Sequence, residues 1–508
     1  MIRFLLRRLG LALGTLLVLS FIVHFMVDLA IDPLDDLRQS TAGNKAELIA
    51  RREAMLMLDQ PWLTRYWSWL SGFLQGDPGY AWRTAQPVVD VMGSAIAASV
   101  TLIFASTILA LLLGIMIGIV SALRQYTAFD YSITFVSFVL YSLPVFWVAV
   151  LLKQFMAIGL NDFLNAPALN IPLTVGISIV AGLFWAGALG GDLRRKLAIF
   201  GIGAGITAGM WIFILYSGWL NTPAIGLIGL AILGLGTALV VTLMFAGINN
   251  KRALYSALTT AVVGLALYYP LQWLFYLYEM NMAWMMGLLV VAILMAMGIG
   301  WLWGGPDRGV SMRGAVIVGI VMSFLMYIDR IMQVYPYFFR HTLIKGRPVA
   351  TIGASTPNLT GDFWLMQLDR FMHLLLPTIA LVLISFASYT RYQRGSMLEV
   401  MSQDYIRTAR AKGLPERVVI TRHALRNALM PLASIIPVDL VSLIGGAVIT
   451  ETIFGWHGMG KMFIDSLKGS EIDPVMAYVM LTGALAILAN LAADLLYAVL
   501  DPRIRVNA

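Results

Sequence analysis

The sequence predicts an all-α, polytopic membrane protein, on three observations. Of its 508 residues, 59% are hydrophobic and only 12% are charged. Soluble domains carry roughly 25% charged residues, so half the usual charge would have to cover a large water-exposed surface. The apolar residues gather into about twelve runs, each near the 20 residues that cross a hydrocarbon core. Those runs do not alternate polar with apolar residues, as the strands of a membrane barrel would. The chain has no cysteine, which excludes disulfide scaffolds, thiolate metal sites and cysteine nucleophiles. Its 35 Lys and Arg against 27 Asp and Glu give a net charge of +8. In a membrane protein that excess points to cytoplasmic loops and not to nucleic acid.

The candidate spans lie near 9–30, 97–122, 133–158, 172–190, 197–218, 223–247, 254–278, 283–303, 313–333, 371–392, 428–450 and 475–499. The first begins with the basic stretch MIRFLLRRLG and runs on to His24, Asp28 and Asp32-Pro33. No small-residue cleavage site follows, so it reads as an uncleaved span with a cytoplasmic N-terminus. The outer segment 31–96 contains QPWLTRYWSWLSGFLQGDPGYAWRT. Its rings fit either the outer headgroup layer or a small helical cap. A second outer segment, 334–370, carries TPNLTGD as a turn.

Alternating from an inner start, twelve spans place 21 of the 35 Lys and Arg on the cytoplasmic side. The short outer loops 159–171, 219–222 and 279–282 hold none, as the positive-inside rule requires. Both termini are then cytoplasmic.

Charges inside spans are costly and face protein or water. Asp439 falls near the middle of the eleventh span and Asp494 towards the end of the twelfth; Asp28 and Lys153 lie nearer the outer side. Asp329 and Arg330 read as a locally compensated pair. For Asp439 two readings stand: a residue of the translocation path, or a carboxyl that packs helices. Gly455–Lys461 fits the first seven positions of a phosphate-binding loop, but Met462 replaces the Ser or Thr that holds Mg²⁺, and no strand precedes it. Nucleotide binding is not expected there. The five histidines lack metal-ligand spacing, so no metal or cofactor is expected on this chain. Glycines spaced by four at Gly114 and Gly118, and at Gly201, Gly205 and Gly209, permit close helix contact.

Between the tenth and eleventh spans lies SQDYIRTARAKGLPERVVITRHALRNALMP, residues 402–431. Tyr405, Ile406 and Ala409 fall on one helical face, with Arg407, Arg410 and Lys412 around them. Gly413-Leu414-Pro415 ends that helix, because Gly favours a C-terminal cap and Pro cannot continue it. A second amphipathic helix, 416–429, returns to the membrane. On charge alone this is a basic inner loop lying on anionic lipid.

The order of residues adds to that reading. YIRTARAKGL followed by RHALRNALMP resembles the cytoplasmic coupling loop of ABC-importer permeases, in the dipeptide/oligopeptide branch. MIRFLLRRLG, LDQPWLTRYWSWLSGFLQGDPGYAWRT, SLPVFWVAVLL, GGAVITETIFGWHGMGKM and NLAADLLYAVLDPRIR resemble that branch in the same order. The matches cover about 1–160 and 371–508, leaving roughly 165–345 without a counterpart. The resemblance implies a six-span type I permease core, 1–160 and 346–508, with an inserted six-span helical block, 161–345. It also implies a second homologous permease, two ATP-binding subunits that carry out all ATP hydrolysis, an extracytoplasmic solute-binding protein and a peptide substrate, in a bacterial inner membrane. The residues it assigns to ATPase coupling are Tyr405, Arg407, Ala409, Lys412, Gly413 and Leu414. Arg407 stands where many permeases carry a glutamate, and Pro431 falls later than in the shortest form; the peptide branch tolerates both.

Two other classes compete. A twelve-span, ion-coupled secondary transporter would repeat a six-span half, and the first and last six spans show no such likeness. A membrane-embedded enzyme would need a polar catalytic set at one depth, which the spans lack.

Overall fold

A computed structural model describes residues 2–41, 43–305, 308–433, 435–437, 439 and 447–500. Two units emerge: Met1–Lys153 with Thr351–Ala354 and Leu376–Ala508, and Gln154–Ala350 with Ser355–Leu375. Among the described residues ten helices are long and apolar enough to cross a membrane, or eleven if one bent pair counts as a span. The predicted span 428–450 lies in part outside the described residues.

The first unit opens with α1 (Ile2–Ala30). The segment that follows folds into short elements: α2 (Asp35–Gln39), α3 (Lys45–Leu56) and α4 (Trp62–Leu74), then a hairpin of β1 (Tyr80–Ala81) and β2 (Gln86–Pro87). Its rings pack on α1: Tyr66 is buried, with its hydroxyl 2.9 Å from Ser20 Oγ, and Phe21 meets both Trp62 and Tyr66 edge-on. Arg65 Nη1 lies 2.7 Å from Asp28 Oδ1, which pairs one of the predicted in-span charges.

The long α5 (Val88–Leu123) follows, 36 residues without a proline. Next come α6 (Ala128–Ser142) and α7 (Val145–Leu152), then a π-helical turn, Lys153–Gly159. The predicted third span, 133–158, is therefore broken. Pro144 pushes Leu143 into extended backbone, as proline does to the residue before it, and the long apolar segment is instead Val145–Asn165.

The second unit holds α8 (Leu160–Asn165), α9 (Ile171–Leu189), α10 (Leu193–Tyr216), α11 (Gly226–Phe245), α12 (Lys251–Ala266), α13 (Tyr268–Leu277), α14 (Met282–Gly304) and α15 (Arg308–Arg340). The predicted span 254–278 is the bent pair α12 and α13, which meet at 42°. Asp329, on α15, organises this bend. It is fully buried and accepts from Ile225 N and Gly226 N at the start of α11, from Tyr268 Oη at 2.8 Å, and from the Gln272 and Gln333 amides. Asp329 is thus not paired with Arg330, contrary to the sequence expectation. Arg330 Nη1 donates to Gln333 Oε1, and its guanidinium lies over the Trp364 ring. Adjacent residues on a helix point about 100° apart, so each finds its own partners.

The helix α16 (Phe363–Met401) leads to α17 (Asp404–Ala411), α18 (Glu416–Val418), a second π-helical turn, Val419–Ala424, and α19 (Leu425–Ala428). After the undescribed stretch come α20 (Val448–Phe454), α21 (Met459–Lys468) and α22 (Ile472–Leu500).

The candidate coupling site

The basic stretch 402–431 builds a short helix, a tight turn and a return helix. Asp404 stands in the first turn of α17 and Arg410 in the last, each where the helix dipole favours its charge. The helix is seated by its apolar side. Ile406 and Ala409 are buried in a cluster with Met397, Ala122, Val419, Ala424 and Ala428. Full burial of one Ile side chain contributes about 1.5–3 kcal/mol, enough to hold so short a helix against the end of α16.

The turn is a Schellman motif. Gly413 N donates to Arg410 O at 2.9 Å and Leu414 N to Ala409 O at 3.4 Å, the two bonds that satisfy the last carbonyls of a helix. Gly413 lies at φ +74°, in the left-handed region that L side chains resist. No atom lies within 4 Å of a Cβ built on it, so the backbone and not crowding within the chain calls for glycine. Pro415 then opens the return helix. Arg410 straps the two limbs together, with Nη2 2.7 Å from Glu416 Oε1 and Nε 3.1 Å from Oε2. Those bonds hold the Glu416 carboxyl below its usual range.

The predicted coupling residues divide. Arg407, Lys412, Gly413 and Leu414 are exposed on the outside of the turn. Tyr405 is also exposed, and its hydroxyl accepts from Asn427 Nδ2 at 2.8 Å, tying α17 to the return helix. Ala409 is 5% exposed and packs inward with Ile406, so within this chain it seats the helix. Asp439 is half-buried and hydrogen-bonded to Tyr389, and its neighbours 438 and 440 lie outside the described residues.

Sequence reasoning passed over the ion pair between half-buried Arg394 and buried Asp130 beside this assembly. Asp130, 1% exposed, takes both Arg394 Nε at 2.6 Å and Nη2 at 2.8 Å, with further bonds from Ser121 Oγ and Tyr126 N. The signal was an Asp in the first turn after Thr127, which caps α6, and an Arg about two turns before the end of α16.

The phosphate-loop lookalike also has a structural explanation. Glu451 on α20 is fully buried, accepts from Ser99 Oγ at 2.5 Å, and accepts from Lys461 N at 3.0 Å in the first turn of α21. A carboxylate of the chain itself therefore fills the anion-binding start of that helix. Lys461 Nζ is paired with Asp465 at 2.6 Å. Among the described residues no group of three or more His, Cys, Asp or Glu is placed to hold a metal ion.

A predominantly helical, many-span chain with a capped basic turn beside α16 has the make-up of a transport-system membrane subunit, and comparison with known families agrees. The chain belongs to the binding-protein-dependent transport system inner membrane components, whose family model matches residues 201–506; the model of that family's N-terminal region matches residues 1–106. The first match begins within the block that the sequence reading leaves without a counterpart. Among individual relatives, the oligopeptide transport system permease protein OppB of Mycobacterium tuberculosis is 44% identical over 155 residues, 30% of this chain and 48% of that protein. The oligopeptide permease protein AppB of Bacillus subtilis is 48% identical over 136 residues, 27% of this chain and 43% of its own. The dipeptide permease protein DppB of Escherichia coli is 48% identical over 138 residues, 27% and 41% of the two chains. The aligned regions thus span less than half the length of these relatives.

Proposed function

We propose that this chain is the permease subunit of an ATP-driven importer and forms the translocation path for peptides delivered by an extracytoplasmic solute-binding protein. It pairs with a second homologous permease and docks two ATP-binding subunits, which hydrolyse the ATP, through the 402–431 turn. Both termini face the cytoplasm. The observation that carries this reading is the turn itself, where Arg407, Lys412, Gly413 and Leu414 stand exposed on a helix seated by Ile406 and Ala409. A surface so rigidly backed yet so basic and open suits a groove on a partner better than a mobile lipid-facing loop. The names of the relatives supply the peptide class, and Asp439 is a candidate to meet a peptide's ammonium group.

Affinity purification from native membranes tests this. Two ATP-binding chains are expected to copurify, and to be lost with Gly413→Trp, which forces a large side chain into the left-handed turn. A lone chain that transports on a proton gradient overturns the proposal in favour of a secondary transporter.

A further inference from the structure

We propose that the second unit carries a binding site for one phospholipid of the outer leaflet, with an acyl chain in an apolar cleft between α15 and α16 and the phosphate held by Arg370. The inference takes from the importer reading only which face of the membrane is outer. The cleft has a volume of about 340 Å³, and every residue that lines it is apolar or aromatic. Its floor is buried: Ile331 and Tyr335 of α15, Leu368 of α16 and Val349. Phe324 and Phe371 stand exposed on its rim. One wall is pinned, because Asn161 exchanges two hydrogen bonds with Val349 and so holds that residue beside Leu160 and Leu164 of α8. The shape of the cleft is therefore set by the fold.

Length, lining and charge select the occupant. Phe324 and Tyr335 lie eleven residues apart on α15, about 16 Å at the α-helical rise, or roughly half of a hydrocarbon core about 30 Å thick. The cleft thus runs from the outer end of α15 to mid-membrane, the reach of one leaflet's acyl chain. The polar atoms of two lining rings are turned into the protein: Trp219 Nε1 donates to Ala224 O at 2.8 Å, and Tyr327 Oη donates to Gln367 Oε1 at 3.4 Å. A peptide's amides would lose water in the cleft without a matching set of donors and acceptors, which is costly, whereas methylene groups carry no such cost. Charge settles the headgroup. The outer segment 334–370 holds Arg340, Lys345, Arg347 and Arg370, against the positive-inside rule that the short outer loops obey. Arg347 adjoins Pro348 of the lining and lies 3.8 Å from Asp162. Arg370 is exposed beside Phe371, and its charge reaches the Tyr327 hydroxyl. A side chain of that length extends from an apolar cleft to the headgroup layer, where its forked donors match a phosphate.

The test uses the full chain in nanodiscs of phosphatidylethanolamine, with a fixed trace of phosphatidylglycerol that carries a photoreactive diazirine midway along one acyl chain. Crosslinked residues are mapped by mass spectrometry after illumination. Crosslinks are expected to concentrate on Phe324 and Leu375, at the inner end of the cleft. Their yield is expected to fall as unlabelled phosphatidylglycerol replaces phosphatidylethanolamine in the disc. Arg370→Gln is expected to lower the yield about fivefold, the effect of one basic side chain at an anionic lipid surface. Ile328→Trp, which fills the cleft, is expected to abolish it; if that variant does not assemble, the wild-type map decides. Crosslinks spread evenly over the exposed residues of α9 and α10 indicate ordinary boundary lipid and overturn the proposal. A yield that unlabelled phosphatidylglycerol leaves unchanged overturns it as well, and so does displacement of the probe by a hydrophobic peptide, which would make the cleft a peptide site. The crosslinks are read on this chain alone, so failure of ATP-binding subunits to copurify would defeat the importer reading without altering this result.

Discussion

Gly413 occupies φ +74° in open space, so two explanations of its glycine make different predictions. If only backbone strain matters, Gly413→Asn should retain the ATP-binding subunits, because Asn tolerates the left-handed region, whereas Gly413→Val should lose them. If a partner closes over the turn, both substitutions fail, since even a short side chain blocks close approach. Quantifying the subunits that copurify with each variant separates the two. A pH dependence belongs to the same turn. The Glu416 carboxyl is held below its usual range by its hydrogen bonds from Arg410, so its contribution is complete above its unfolded pKa of about 4.3 and is lost as pH falls through the lower folded value. Both side chains are largely solvated, and the effect is correspondingly modest. Protection of the Gly413 and Leu414 amides from exchange, taken relative to the intrinsic rate at each pH, is expected to fall on acidification in the wild type and to be equally low on both sides of that range in Glu416→Gln. At this scale the sequence exposed what depends on local chemistry: glycine, then proline, then a helix of basic residues. The burial of Ala409 was not legible, because a small residue on a helix fits a partner's groove or its own core equally well, and its packing with Met397 and Ala122 is tertiary.

Helices show the same division between pattern and packing. The glycine pairs of α5 and α10 look alike in sequence but differ in surroundings. Gly114 faces Tyr389 and the Thr390 backbone, whereas nothing lies within 4 Å of a Cβ on Gly201, Gly205 or Gly209. Substitution by alanine should therefore change stability in opposite directions. Gly114→Ala overpacks the α5–α16 contact and is expected to cost about 1–3 kcal/mol. Gly201→Ala gains helix propensity and is expected to stabilise by up to about 1 kcal/mol. Thermal unfolding of each purified variant in detergent gives the sign; a destabilising Gly201→Ala would mean that α10 packs through that face. Helix positions were readable in the apolar runs because hydrocarbon leaves backbone groups no alternative to internal hydrogen bonds. The broken third span and the bend between α12 and α13 were not read, because apolar runs continue through Pro144 and Leu267. Nor could hydropathy pair Asp329 with the start of α11, about a hundred residues away; that contact depends on tertiary placement.

For the chain as a whole, the geometry of the block's ends makes its removal a sharp experiment. Between residues 171 and 340 the described helices supply six candidate spans, counting the bent pair as one, and an even number returns the chain to the side it left. The ends also meet. Asn165 Nδ2 donates to Gly346 O at 2.8 Å, and Asn161 exchanges two hydrogen bonds with Val349, its Nδ2 donating to Val349 O at 2.9 Å and its Oδ1 accepting from Val349 N at 3.0 Å. A chain excised from 167 to 344 and closed with two glycines therefore needs to bridge only a short gap while keeping the Asn161–Val349 and Asn165–Gly346 pairs. Because the coupling turn, the Asp130–Arg394 clamp and the Ser99–Glu451 contact all belong to the other unit, the shortened chain is expected to reach the membrane and still recover ATP-binding subunits. Stimulated hydrolysis and peptide uptake then show what the block adds. Retention of both would make it an accessory that the transport cycle does not need. Loss of uptake with docking preserved would give it a role in the path or in receiving the binding protein, whereas loss of docking itself would show that the core does not fold without the block.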